Sequence, residues 1–271
     1  MYSKNDIIEQ LKSMNAPRDT VVLMHTSLRL VGDVEGGARG LLDAMIEYFT
    51  ALGGLFCVPT HTWDNLGTDN ITLDLTRAES NLGAFSKVAA ADPRGLRSEN
   101  PTHSMVVFGD RERAGELVSG EIDVITPTSP QSAYGKLYEW GGYVLLVGVS
   151  QNKNTYLHTV DEMLGVQNRM GKESVAVTVK RPSGEVVDRK LTLFDTSYTE
   201  DISWRFHKYD TAFRYHGCIT DGSIGDAPAQ LCDAVKMKKT VELIYSNAGG
   251  VDPLEDEEPI PPKWYARKGN A

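Results

Sequence analysis

The feature that most constrains the fold is a set of short, unbroken apolar runs, each closed by turn residues. They are Val21-Val22-Leu23-Met24, Leu55-Phe56-Cys57-Val58, Met105-Val106-Val107-Phe108 and Tyr143-Val144-Leu145-Leu146-Val147. A strand with one wet face alternates apolar and polar residues, whereas an unbroken run is apolar on both faces and needs cover on both. Helical patterns between the runs supply that cover. Leu41 to Phe49 keeps apolar residues at helical spacing and Gly53-Gly54 stops it. Two more helices are expected, from Leu82 to Ala91 and from Asn154 to Leu164. The N-terminal stretch reads as an amphipathic helix with Ser3 as cap, Asp6 at the third helical position, and Ile7, Ile8 and Leu11 on one face. These elements predict an α/β domain whose central strands are covered on both faces.

From Val175 the pattern alternates, turns at Arg181-Pro182-Ser183-Gly184-Glu185, and alternates again to Leu193. This is a β-hairpin over about residues 174–194, the β-rich C-terminal elaboration of the fold. A helix is expected from Ala227 to Lys236 and a short element from Val241 to Tyr245. Residues 1–251 read as a single domain. Residues 252–271 read as an acidic, Pro-rich tail, exposed or loosely docked, since Asp252, Glu255, Asp256, Glu257 and Glu258 precede Pro259-Ile260-Pro261-Pro262.

Charge narrows the partners. The 271 residues carry 28 basic and 37 acidic side chains, a formal net charge of −9, which disfavours nucleic acid and anionic membranes and suits either small cationic ligands or ordinary solubility with no electrostatic specialisation. No apolar run approaches the ~20 residues of a membrane span or the form of a signal peptide, so a cytoplasmic location is expected. Cys57, Cys218 and Cys232 are scattered, without the spacing of a disulfide scaffold or thiolate metal site. Cys57, inside an apolar run, reads as inert core.

The histidines concentrate at strand ends. His25 closes the first run, His61 follows Val58-Pro59-Thr60, His103 precedes the Met105 run, and His158 lies on the helix after the Val147 run. Strand ends in an α/β sheet border the ligand crevice, so these rings are candidates to meet. On a helix, His158 shares a face with Asp161 and Glu162, a spacing suited to a general base, a metal site or an ordinary surface pair. Gly36-Gly37-Ala38-Arg39-Gly40 opens a helix and could present N–H groups to a phosphate, or be a flexible turn. Neither a P-loop, a GxGxxG nor a Gly-x-Ser-x-Gly elbow is present. Arg29 to Val34 approaches the pyrophosphate loop of the common N-acetyltransferase fold, but Val34 stands where only Gly or Ala belongs.

In order, the pieces are His25-Thr26-Ser27-Leu28, Val58-Pro59-Thr60-His61-Thr62, Arg97-Ser98-Glu99-Asn100-Pro101-Thr102-His103-Ser104, Ser129-Pro130-Gln131-Ser132 with Gly141 to Val149, and Thr155-x-x-His158-x-x-Asp161. From about residue 5 to 220 the chain resembles the aminoglycoside 3-N-acetyltransferase family, whose fold is not the common N-acetyltransferase (GNAT) fold. The resemblance implies a three-layer α/β/α fold with a central mostly parallel or mixed sheet, and direct acetyl transfer from acetyl-CoA to an amine, with no metal. It implies His103 as the base and Asp161 or Glu162, after His158, as its supporting acid. The family usually has Glu at the position of Asp161. It places the CoA pyrophosphate near His25, Thr26, Ser27 and Leu28, with Ser104 a candidate for the oxyanion.

Asp64, with His61, falls near an acid that meets the amino sugar, and Asp69, Asp74, Glu79 and the acids from Asp195 to Asp201 are further acceptor candidates. The stretch Trp204 to Tyr209 could pack in a homodimer, over the acceptor, or as a core lid. Two other classes remain open: a metallohydrolase using His25, His61, His103 and His158 with Asp64 or Asp161, and a non-catalytic CoA-binding relative.

Overall fold

The computed structural model describes residues 1–63, 71–77, 80–195 and 201–266. Helix α1 (Lys4–Ser13) starts at the expected reciprocal cap: Asp6 N donates to Ser3 Oγ at 3.2 Å, and Ser3 N donates to the Asp6 carboxylate at 2.8 Å. Then come β1 (Val21–Thr26), the one-turn α2 (Leu28–Val31), α3 (Gly37–Thr50), β2 (Leu55–Pro59) and β3 (Ile71–Asp74). Gly36 caps α3 in the left-handed region, at φ 74°, which an L side chain rarely adopts. The chain continues through α4 (Ala84–Ala90), β4 (Leu96–Arg97), β5 (Met105–Phe108), α5 (Arg111–Val118), α6 (Ala133–Glu139) and β6 (Tyr143–Val147). A 3-10 turn at Gln151–Lys153 leads into α7 (Tyr156–Met163) and the hairpin of β7 (Met170–Lys180) and β8 (Val186–Phe194). A 3-10 segment (Ile202–Tyr209), α8 (Asp210–Tyr215), β9 (Ile219–Ile224), β10 (Ala227–Asp233), α9 (Ala234–Asn247) and α10 (Pro262–Tyr265) complete it.

The central sheet has seven strands in the order β4-β5-β2-β1-β6-β10-β9. Strand β1 runs parallel to β2 and β6, and the outer pairings are antiparallel, so the sheet is mixed. Alternate residues of each apolar run enter opposite cores. Leu23, Cys57, Val107 and Val144 pack with α5, α6, α7, α8 and α9, while Val22, Phe56, Val106 and Leu145 pack with α1, α3 and α4. That is the three-layer α/β/α arrangement, and it explains why the runs are unbroken. Cys57 is buried, and burial pushes its thiol up, consistent with an inert side chain. A second sheet, β3-β7-β8, contains the expected hairpin.

Three expectations change. The helix expected from Ala227 begins only at Ala234, because residues 227–233 form β10, which pairs antiparallel with both β6 and β9. The Val241 to Tyr245 stretch lies inside α9. The segment from Asp252 is a docked strap, with Leu254 fully buried and Ile260 and Tyr265 each 6% exposed against the α5–α9 core. Three of its five acids are taken up by cations of the domain: Asp252 by Arg169, Asp256 by Lys208 and Glu257 by Arg205. Among the described residues no helix is long and apolar enough to cross a membrane.

Candidate active site

The sheet itself brings the histidines together. His25 lies near the C-terminal end of β1, and His61 follows β2, which is parallel to β1. Strand β5 is antiparallel to β2, with Met105 opposite Pro59, so the residues just before β5 lie beside those just after β2. His103 therefore reaches His61, with ring centroids 4.4 Å apart. His158 arrives on α7. Phe194, at the end of β8, packs its ring against both, 5.4 Å from His103 and 4.4 Å from His158.

All four histidines line one pocket of about 500 Å³, with Thr26, Trp63, Lys153, Phe194 and Asp201 among the other walls. Burial keeps the imidazoles neutral: it pushes His25 and His103 down to about 3, His158 to about 4, and His61 well below the ordinary range. For His158 the Asp201 carboxylate opposes this effect and Arg169 adds to it.

The supports of these rings differ from the expected ones. Thr102 Oγ1 lies 2.9 Å from His103 Nδ1, and the His103 backbone N–H donates to Asn100 Oδ1 at 2.9 Å. Asn100 is in turn fixed by donating to Pro127 O at 2.8 Å. His61 Nε2 meets the Tyr134 hydroxyl at 2.8 Å, and Tyr134 is held on α6 inside the core. Asp161 does not face a histidine: its carboxylate accepts from Arg169 Nε at 2.7 Å, and both side chains are almost fully buried. Burial pushes the Asp161 carboxyl up to about 6, against the pull of Arg169. Glu162 accepts from the hydroxyls of Thr126 and Thr128. Neither acid of the His-x-x-Asp-Glu motif lines the pocket, because partners from other parts of the chain claim them: Arg169 holds Asp161, and Thr126 and Thr128 hold Glu162.

Ser104 is fully buried, and its hydroxyl donates to Thr60 O at 2.9 Å while accepting from Arg97 Nε at 3.2 Å, so it is engaged inside the protein. Thr26 lines the pocket, and its hydroxyl has no hydrogen-bond partner among the described residues; the same holds for His25 Nε2. Ser27 precedes α2, and Leu28 packs towards the α1–α3 core rather than lining the pocket. Asp64, Asp69 and Glu79 lie outside the described residues. The Trp204 to Tyr209 stretch packs against the 3-10 turn at Gln151–Lys153 and α7: Phe206 is fully buried and lies 4.8 Å from His158. Among the described residues no group of three His, Cys, Asp or Glu side chains could hold a metal ion.

Sequence reasoning did not single out Thr102, Asn100, Tyr134 or Phe194. Thr102 adjoins His103 and could have been flagged as its partner. Tyr134 and Phe194 come from α6 and β8, and only the tertiary packing brings them to the site.

The site is thus a histidine-lined pocket at the ends of β1 and β2 in a mixed α/β/α sheet. Residues 23–244 match the family described as aminoglycoside 3-N-acetyltransferase, and the chain belongs to that family. Aminoglycoside N(3)-acetyltransferase IV of Salmonella sp is 26% identical over 230 residues, 85% of this chain and 82% of that protein. Aminoglycoside acetyltransferase AAC(3)-IVa, solved as a histidine-to-alanine mutant in complex with a gentamicin, superposes with a TM-score of 0.72 at 25% identity, covering 88% of this chain and 86% of that one. AAC-IIIb, solved as a binary complex with CoASH, shares the fold at a TM-score of 0.73 and 22% identity, over 88% of this chain and 93% of that one.

Proposed function

We propose that this protein transfers the acetyl group of acetyl-CoA to an amino group of an aminoglycoside, at the 3-N position, or of a similar small cationic amine. The observation that carries this reading is the convergence of neutral imidazoles on one pocket in a chain of this family. An aliphatic amine is largely protonated at neutral pH and must lose a proton to attack a thioester carbonyl. His103 is the proposed base. Donating Nδ1–H to Thr102 Oγ1 leaves the Nε2 lone pair to take that proton. The amine nitrogen then bonds to the carbonyl carbon, a tetrahedral oxyanion forms, and its collapse breaks the C–S bond. The thiolate leaves with the electron pair and recovers a proton from the imidazolium, and the former amine nitrogen sheds its second excess proton to solvent, so a cationic amine gives a neutral amide, the CoA thiol and one released proton.

Asp201 favours a second reading in which His158 is the base. Its carboxylate lines the pocket and stabilises charge on His158, a support that His103 receives only from a hydroxyl.

Thiol release from acetyl-CoA, measured across aminoglycosides and simpler amines, tests the activity. His103→Ala is expected to lose orders of magnitude in turnover while still binding acetyl-CoA. Near-normal turnover in that variant, with loss in His158→Ala, would move the base to His158. No thiol release with any amine would remove the transferase reading.

A further inference from the structure

The acidic C-terminal run reaches the back of the active-site helix. Arg169, just before β7, lies between two carboxylates. Its Nε donates to Asp161 on α7 at 2.7 Å, and Nη1 and Nη2 donate to the two oxygens of Asp252 at 2.8 and 2.9 Å. Tyr245 of α9 closes the cluster: its hydroxyl accepts from Arg169 at 3.1 Å and donates to Asp252 at 3.0 Å. The Arg169 side chain is 6% exposed, that of Asp161 2% and that of Asp252 29%. Burial pushes the Asp252 carboxyl up, and the hydrogen bonds and charge of Arg169, together with the Leu254 N–H and the Tyr245 hydroxyl, more than offset that.

Two anions around one cation leave the cluster with a single net negative charge. Without Asp252, Asp161 alone would balance the guanidinium. Arg169 stands near enough to His158 to oppose a proton there. The other groups bearing on that end of α7 are Asp201 at the start of the 3-10 segment, His103 before β5, and Glu162, held by Thr126 and Thr128. We propose that Asp252 is a positioning residue for the transfer site: through Arg169 it holds α7 in place and supplies the second carboxylate that leaves the cluster behind His158 net negative. On this view the C-terminal acidic run belongs to the active-site scaffold, with Arg205 and Lys208 clamping Leu254 to Glu257 over the 3-10 segment that starts at Asp201.

The kinetic consequence rests on the acetyl-transfer reading; the electrostatic one does not. The test uses the full chain, with Asp252→Asn, Asp252→Ser and Asp252→Glu. The His158 ring is followed by NMR down through the acid range in which the fold persists, and turnover with acetyl-CoA and an amine is measured beside it. Either neutral variant should make His158 begin to titrate about half a pH unit lower or more. Turnover should fall several-fold with the KM for acetyl-CoA unchanged, and Asp252→Glu should restore both. Unchanged titration or unchanged turnover in a folded neutral variant overturns the proposal. So does the failure of both neutral variants to fold, which would confine Asp252 to stability. Absence of acetyl transfer by the wild-type protein instead removes the transferase reading, and the titration then decides the electrostatic role alone.

Discussion

At the scale of single residues, the site depends on how each imidazole is held. A buried neutral ring must fix one nitrogen before the other can serve as acceptor, and here the partner of His103 is a hydroxyl. Thr102→Val should therefore lower turnover about tenfold, the loss of one hydrogen bond worth ~1.4 kcal/mol, and Thr102→Ser should restore it. Steady-state kinetics on the two variants check this, with unchanged melting temperature as the control. The candidate histidines were legible from the sequence because each lies next to an apolar run or on the helix that follows one. Their partners were not. The Asp161 and Glu162 pattern suggested a carboxylate partner, but side-chain direction on α7 is decided by Arg169, Thr126 and Thr128, which come from other parts of the chain.

At the scale of elements, the hairpin contributes one wall residue to the pocket, Phe194. Arg181, at its turn, makes a bidentate pair with Glu99 at 2.6 Å for each bond, tying the hairpin to the loop that carries Asn100 and His103. At its other end Phe194 separates His103 and His158 from water. Phe194→Ala should admit water, so both histidines titrate closer to their ordinary value near 6.5, at a stability cost of about 1–3 kcal/mol. NMR titration of the two rings and thermal unfolding measure these effects, and histidines that still titrate near their present values would remove the shielding role. Strand β10 shows where local pattern misleads. Ala227 to Asp233 contains the small residues of a helix, yet β6 and β9 offer hydrogen-bond partners along both its edges, and sheet pairing overrides propensity.

At the scale of the molecule, burial of so many titratable groups makes stability depend on pH. His25, His61, His103 and His158 are held below their ordinary value, so below about pH 6.5 the unfolded chain binds protons that the folded one refuses. Stability therefore falls with acidification. Glu121, raised to about 7 by burial, and Asp161, raised to about 6, act in the opposite direction, as does Glu162. The four histidines outweigh the three carboxyls, so the fold should lose stability between pH 6.5 and 5. Chemical denaturation across that range measures it, and a rising or flat profile would contradict the assignment.

The sequence alone determined the α/β class, the two-sided cover of the central strands, the N-terminal cap and the histidines worth watching. All of these follow from local periodicity and adjacency in the chain. Tertiary structure decided that β5 runs antiparallel to β2, which carries His103 to His61. It also decided that the acids after His158 face other partners, and that the acidic C-terminal run is clamped to the domain. Each of these is a pairing between residues far apart in sequence, set by which buried donor or cation is left to be satisfied, and nothing in a local pattern encodes that.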